Sequence, residues 1–322
     1  MFSKLALSSM LALASFAMPA WGDSYPNRTI TIVTPFPPGS TSDIIPRLLA
    51  PHLSQALGTT VVVENRPGAN GSLGAAKVAS SAADGYTLLM ATTGVLAINP
   101  WVYTKLSYSP TKDFEPIINA ASTPNVVVAH PSVAASDLKE LVNLARQKPG
   151  DLTFASAGNG STSHLCGESL KSTAGVDLVH VPYQGPAPAM QDVLAGRVAL
   201  MCDNFSNVVQ YVKSGRLKAI ALTAKERSPL APEIPTSTDA GYADVQAGNW
   251  YSFLAPAGTP RPIVDRLNTE FAKALRNPEV TARLQSMGLT IIADKPDEFR
   301  AFIAEESAHW QKVVKAANAR LD

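Results

Sequence analysis

Two loops in the sequence have the composition of anion-binding sites made from backbone and hydroxyl groups. They are PFPPGSTSD (35–43) and AGNGSTSH (157–164), and each follows an apolar run and precedes a helical pattern. Glycine lets the backbone approach a ligand closely, while free N–H groups at a helix N-terminus and nearby hydroxyls favour phosphate or carboxylate. In the first loop Pro46 restricts where the helix can begin, so a cap at Ser42 or Asp43 is expected.

Two further segments follow predicted strands and could add contacts to a shared site. They are VPYQG (181–185) and CDNF (202–205). Tyr183 and Phe205 have the shape to flank a small ligand, and as single aromatic residues they fit core packing equally well. Because the two glycine-rich loops belong to different parts of the chain, we expect one ligand site between them.

Catalytic, cofactor and metal motifs are weak. The alternative function is an exported serine hydrolase using Ser161 or Ser163 with His164, but the sequence has no Gly-x-Ser-x-Gly elbow. The pattern Gly158-x-Gly160-x-x-Ser163 lacks the third glycine of a dinucleotide fingerprint. The histidines form no His-x-x-x-His pair and the cysteines no Cys-x-x-Cys pair. The sequence therefore predicts no catalytic residues, no cofactor and no metal site.

The N-terminus has the pattern of a secretory leader. Lys4 precedes an apolar run (5–17) that is too short to span a bilayer, and small residues precede a cleavage point before Asp23. Residues 1–22 are therefore predicted to be a cleaved signal peptide, which places the mature protein in the periplasm. The chain has 27 Lys and Arg against 26 Asp and Glu, and of these the leader contains only Lys4. A neutral mature protein lacks the field that attracts nucleic acid or anionic lipid.

Two cysteines, Cys166 and Cys202, leave two alternatives open. In an oxidising compartment they can form one disulfide, and they can equally remain two buried thiols. Their spacing in the sequence does not decide between these.

The remaining pattern is that of an α/β protein with largely parallel sheets. Short β-branched runs alternate with helical patterns, which are predicted at 137–147 after a Ser136 cap, 188–195, 262–275 and from 296 onward. A strand–turn–strand pattern near Thr123-Pro124 and a proline-rich stretch at 228–235 mark two crossings between domains. We therefore expect a discontinuous lobe 1, residues 23–123 plus 236–322, and a lobe 2, residues 124–235.

Five long segments carry a family resemblance. The segments 61–92, 154–165, 180–204 and 253–260, with the FPPGSTSD loop, resemble the periplasmic solute receptors of tripartite tricarboxylate transporters, the Bug or TctC family. The resemblance implies a two-lobed Venus-flytrap (periplasmic-binding-protein) α/β fold, each lobe a mainly parallel sheet flanked by helices. It also implies a small carboxylate ligand in the interlobe cleft, a membrane permease as partner and a monomeric receptor. Dicarboxylates, acidic amino acids and aromatic or pyridine carboxylates all remain open as ligands.

The same resemblance implies a set of ligand-binding residues from both lobes. In lobe 1 they are Phe36, Gly39, Ser40, Thr41, Ser42, Thr92 and Thr93, and in lobe 2 they are Ser156, Ala157, Gly158, Ser161, Thr162, His164, Tyr183 and Asp203. The sequence departs from the family pattern at Ser40, where a second glycine is common, and at Pro46, where alanine is common.

Overall fold

Short apolar strands and amphipathic helices alternate along residues 25–320, the part of the chain that the computed structural model describes. The predicted leader, residues 1–22, lies outside that part. The strands are β1 (Ile30–Thr34), β2 (Val61–Asn65), β3 (Thr87–Thr92), β4 (Phe114–Ala129), β5 (Thr153–Ser156), β6 (Val179–Pro182), β7 (Leu200–Asn204), β8 (Lys218–Leu222), β9 (Gly248–Pro256) and β10 (Thr290–Ile291). The helices are α1 (Thr41–Leu57), α2 (Ser72–Ala79), α3 (Asn99–Val102), α4 (Leu138–Gln147), α5 (Thr162–Ala174), α6 (Pro186–Leu194), α7 (Phe205–Lys213), α8 (Arg261–Leu275), α9 (Pro278–Ser286) and α10 (Pro296–Ala316).

The helices predicted from periodicity are all present, as α4, α6, α8 and α10. The cap of α4 is Asp137 rather than the expected Ser136, because the Asp137 carboxylate accepts a hydrogen bond from the N–H of Glu140. A carboxylate at this position also interacts favourably with the positive end of the helix dipole.

The strands form one mixed sheet in the order β2-β1-β3-β9-β4-β7-β5-β6, and β8 and β10 also pair with β4. β1 lies parallel to β2 and β3, and β5 lies parallel to β6 and β7. Every listed neighbour of β4 and β9 within residues 25–320 is antiparallel to it. The α/β class is confirmed, and the antiparallel centre is a feature that alternation of strands and helices does not indicate.

β4 is a single strand of 16 residues that runs through the whole sheet. The predicted strand–turn–strand with a break at Thr123-Pro124 is wrong. The strand pairs with β9 and β10 up to Pro124, and from Asn125 onward it pairs with β7 and β8. Proline has no N–H, and it is tolerated here because pairing with β9 ends at this point. The next N–H, from Asn125, donates to the carbonyl of Ala247.

The apolar core lies on both faces of the sheet. On one face, Phe253 of β9 packs against Phe271 of α8 with ring centroids 4.3 Å apart. On the other face, α10 buries Phe299 and Trp310. α10 contacts β4, α3 and α5, so this C-terminal helix packs against elements before and after the Pro124 crossing.

Cys166 and Cys202 form a disulfide that joins α5 to β7, with their Cα atoms 6.2 Å apart. This decides between the two alternatives left open by the sequence. Closing a loop with a sequence separation of 36 stabilises the fold by about 4 kcal/mol in the chain-entropy treatment. The disulfide therefore fixes the start of α5 relative to the end of β7.

Within residues 25–320, no helix combines the length and the apolar character that crossing a membrane requires.

Candidate ligand site

The first glycine-rich loop connects β1 to α1. The helix begins at Thr41 with Ser40 as its N-cap residue, so the predicted cap at Ser42 or Asp43 is wrong. The hydroxyl of Ser40 does not cap the helix but donates to the carbonyl of Pro37 at 2.8 Å. The helix then continues through Pro46, which is buried inside it.

A buried carboxylate, that of Asp43, fixes the shape of this loop. It accepts hydrogen bonds from the N–H of Gly39 (2.9 Å), Nε of Arg47 (2.9 Å) and Nδ2 of Asn65 (2.8 Å). Burial opposes ionisation of Asp43, but these hydrogen bonds outweigh it and lower its pKa. The Asn65 amide also donates to the carbonyl of Phe36 at 3.0 Å. Arg47 is therefore engaged in holding the loop rather than offered to a ligand.

The second glycine-rich loop connects β5 to α5 and is held by its own hydroxyls. Ser161 is the N-cap of α5: its Oγ accepts from the N–H of His164 (3.2 Å) and donates to the carbonyl of Gly158 (2.6 Å). The Oγ of Ser163 accepts from the N–H of Ala157 at 2.9 Å. The N–H of Gly158 donates to the Oγ of Ser156 at 3.1 Å. Thr162, the first residue of the helix, is left available for contacts outside the loop.

The geometry gives no support to a serine hydrolase at this loop. Catalysis would need a hydroxyl hydrogen-bonded to the imidazole that removes its proton. Instead, Nδ1 of His164 accepts from the N–H of Gly160 at 3.2 Å, and the hydroxyls of Ser161 and Ser163 contact each other at 2.9 Å.

Two stacked imidazoles lie beneath the second loop. The rings of His164 and His180 are 4.2 Å apart at an interplanar angle of 27°, and Nε2 of His180 lies 2.6 Å from the Oγ of the fully buried Ser156. Burial lowers the pKa of both histidines to about 4, aided by Lys171 for His164 and by His164 itself for His180. Both rings are therefore neutral at pH 7.

Tyr183 and Asp203, the remaining predicted residues of the second half, differ in their access to a ligand. Tyr183 is partly exposed and donates its hydroxyl to Asp192 at 2.6 Å. Asp203 is buried, and burial raises its pKa to about 6 despite hydrogen bonds from Asn207 and the N–H of Asn204. Phe205 is buried in the core, which decides in favour of packing for that residue.

The two predicted threonines at the end of β3 also differ. Thr92 lies in register with Tyr251 of β9. Thr93 is fully buried; its Oγ1 accepts from the N–H of Trp250 at 3.0 Å and donates to the carbonyl of Gly248 at 3.4 Å. In this arrangement the Thr93 hydroxyl holds the start of β9.

A line of polar side chains joins the two loops across the sheet. Burial raises the pKa of Tyr251, and hydrogen bonding to Thr41 offsets part of that rise. The Tyr251 hydroxyl accepts from Nδ2 of Asn204 at 3.4 Å. Nδ2 of Asn249 then donates to Oδ1 of Asn204 (2.6 Å) and to Oγ1 of Thr162 (3.0 Å). The N-terminal residues of α1 and α5 are thus linked by three side chains.

Those three linking residues, Tyr251, Asn204 and Asn249, were missed from the sequence. Asn204 had a signal, because it follows Asp203 in the CDNF segment. Tyr251 and Asn249 belong to a strand that is distant from both loops in sequence, and only the pairing of β9 with β3 and β4 brings them near.

The loops are closed against each other rather than arranged around an open cavity. A cavity of about 540 Å³ lies beside the crossing, and Thr123, Lys225, Asn249 and His309 are among its lining residues. None of the predicted ligand residues lines it. Among residues 25–320, no group of three or more His, Cys, Asp or Glu side chains could hold a metal ion.

Comparison with known proteins gives the family. The model of the "Tripartite tricarboxylate transporter family receptor" matches residues 45–319. The chain belongs to this TctC receptor family.

Relatives of known structure share the whole fold with this TctC-family chain. It is 36% identical to the protein BugT of Bordetella pertussis over 97% of this chain and 96% of that protein. An R. palustris protein solved with adipate is 36% identical, with a TM-score of 0.85, over 92% of this chain and all of that one. MatC from Rhodopseudomonas palustris, solved with bound malate, is 34% identical with a TM-score of 0.81, over 90% and 100%. The predicted resemblance and the periplasmic-binding-protein fold are confirmed.

Proposed function

We propose that this chain is a periplasmic receptor that captures a small organic carboxylate between two lobes and delivers it to a transporter permease. It carries out no chemistry on the ligand. The observation that carries the proposal is the polar line from Thr41 to Thr162, which joins two helix N-termini. Helix N-termini and hydroxyls suit an anion, because their N–H and O–H groups all donate toward it. The adipate and malate bound by similar receptors support a carboxylate as that anion.

The lobes of the proposal are residues 23–123 plus 236–322 and residues 124–235. Two features support this division. β4 changes its pairing partners after Pro124, and a second connection runs beside it, where the N–H of Ala247 donates to the carbonyl of Thr223. Because the loops contact each other, a ligand can enter only when they separate, and bending at these two connections would separate them.

The ligand contacts of the proposal come from both loops. They are the residues predicted from the sequence: Phe36, Gly39, Ser40, Thr41, Ser42, Thr92, Thr93, Ser156, Ala157, Gly158, Ser161, Thr162, His164, Tyr183 and Asp203. We place the mature protein in the periplasm after removal of residues 1–22, as a monomer whose protein partner is the permease.

A thermal-shift screen tests the proposal. The panel contains dicarboxylates, acidic amino acids and aromatic carboxylates, each beside its uncharged amide as a matched control ligand. A carboxylate present at one hundred times its Kd stabilises the receptor by about 2.7 kcal/mol and raises Tm accordingly, whereas its amide leaves Tm unchanged. A panel in which no carboxylate raises Tm would contradict the receptor function.

A further inference from the structure

One side chain, that of Asn249, connects the two halves of the candidate site. It lies in β9, in register with Thr123 of β4, where the chain passes the Pro124 crossing. Its two side-chain hydrogen bonds both use Nδ2, which donates to Oδ1 of Asn204 at 2.6 Å and to Oγ1 of Thr162 at 3.0 Å.

These bonds determine which way the Thr162 hydroxyl can act. Its oxygen already accepts a hydrogen bond from Asn249, so its own O–H is directed at a different acceptor. Thr162 is the first residue of α5, and the cap of that helix is supplied by Ser161 instead. The Thr162 O–H is therefore free to donate beside a helix N-terminus, where a negatively charged acceptor is favoured.

The same relation holds one step further along the line. Nδ2 of Asn204 donates to the hydroxyl of Tyr251 at 3.4 Å, so the Tyr251 oxygen also acts as an acceptor within the line. Two amides in sequence thus orient a hydroxyl on each side of the crossing.

We propose that Asn249 is a positioning residue of the carboxylate site: its amide turns the Thr162 hydroxyl toward the ligand and ties β9 to the start of α5. This inference rests on the proposed receptor function. Asn249 acts through Thr162, so removing Asn249 weakens ligand binding by disordering the hydroxyl rather than by removing a contact with the ligand.

A double-mutant cycle measured by calorimetry tests this, using any carboxylate that raises the Tm of the wild type. Thr162→Ala is expected to raise Kd about tenfold, the effect of losing a hydrogen bond to a charged group, and Asn249→Ala is expected to raise it by a similar factor. The double variant should match Thr162→Ala alone within about twofold, because the hydroxyl that Asn249 positions is already gone. Independent effects would instead multiply to about a hundredfold.

Asn268→Ala is the matched control. Nδ2 of Asn268 also donates two hydrogen bonds, to the carbonyls of Ile117 and Asp294 at 2.8 Å each, outside the predicted loops. It should lower Tm and leave Kd unchanged. If Asn249→Ala does not fold, Asn249→Ser replaces it in the cycle and should show the same coupling with a smaller loss of affinity.

The outcomes separate this inference from the function on which it rests. Multiplicative effects in the cycle, or an unchanged Kd in Asn249→Ala, would overturn the positioning role while the receptor function stands. A wild type that binds no carboxylate would overturn both.

Discussion

The stacked imidazoles of His164 and His180 make the second loop sensitive to protonation. Nδ1 of His164 accepts the N–H of Gly160, so this nitrogen must be unprotonated for the loop to keep its shape. Burial lowers both pKa values to about 4. The unfolded chain, with a histidine pKa near 6.5, binds more protons between these values, so the histidines stabilise the fold above pH 6.5 and lose that effect as pH falls toward 4.

We predict that His164→Asn flattens this part of the pH dependence, because Oδ1 of asparagine can take the place of Nδ1 without titrating. The raised pKa values of Asp203 and Asp294, both about 6, act in the opposite direction and are present in both proteins. The difference between wild type and variant therefore isolates the histidine. Urea unfolding from pH 7.5 to pH 4 should show the wild type losing about 1–3 kcal/mol relative to the variant. Parallel curves would rule out the histidine as the cause.

Asp43 is the other residue whose role follows from burial. We predict that Asp43→Ala costs about 2–3 kcal/mol of unfolding free energy, because three donors lose a buried charged acceptor. Asp265→Ala is the matched control: it breaks another Asp–Arg pair four residues apart on a helix, with Arg261, but both of those side chains are 53% exposed. Urea unfolding should show a change below about 1 kcal/mol for the control. Equal losses in the two variants would contradict the clamp assigned to Asp43.

At the scale of elements, the two helices α1 and α5 supply the predicted recognition of charge. The loops before them contain no Lys or Arg, and the nearby Arg47 is bonded to Asp43 and Asn65. Partial charges at helix ends act over the first turn, and a partly buried site is screened less by salt than exposed charges are.

We therefore predict that affinity depends weakly on ionic strength. Calorimetric titration of the identified carboxylate at 50 mM and 500 mM salt, chosen as about tenfold apart in ionic strength, should give Kd values within about threefold of each other. A steep loss of affinity in high salt would reveal a cationic contact that the loops do not contain.

Elements of this fold differ in how well the sequence predicts them. α8 and α10 have strong apolar periodicity, and their predicted positions are confirmed. β4 was predicted as two strands because prolines and small residues resemble a turn, whereas pairing with β9 and β7 holds it extended. Asn249 could not be predicted as part of the site, because its position depends on which strands pair rather than on its neighbours in sequence. Asp43 was expected to cap α1, but Ser40 holds that position and the carboxylate instead folds back to Gly39.

At the scale of the whole molecule, the proposed function requires the two lobes to move. The first and second loops contact each other through Asn249 and Thr162. The second loop also lies against α3, since a Cβ added at Gly160 would come within 2.8 Å of Val102. A carboxylate held by both loops would favour this closed arrangement by its differential affinity for the closed state over the open one.

We predict that ligand makes the protein more compact without changing its secondary structure. Small-angle scattering should give a radius of gyration near 19 Å for a compact chain of this length, and saturation with the carboxylate should lower it by a few per cent as the lobes close. The amide of the same ligand should leave it unchanged, and circular dichroism should be identical in all three samples. A radius of gyration that does not respond to a carboxylate already shown to bind would contradict closure about the Pro124 crossing. In that case the ligand would bind to a receptor whose lobes are already together, and the contact between Asn249 and Thr162 would have to open locally to admit it.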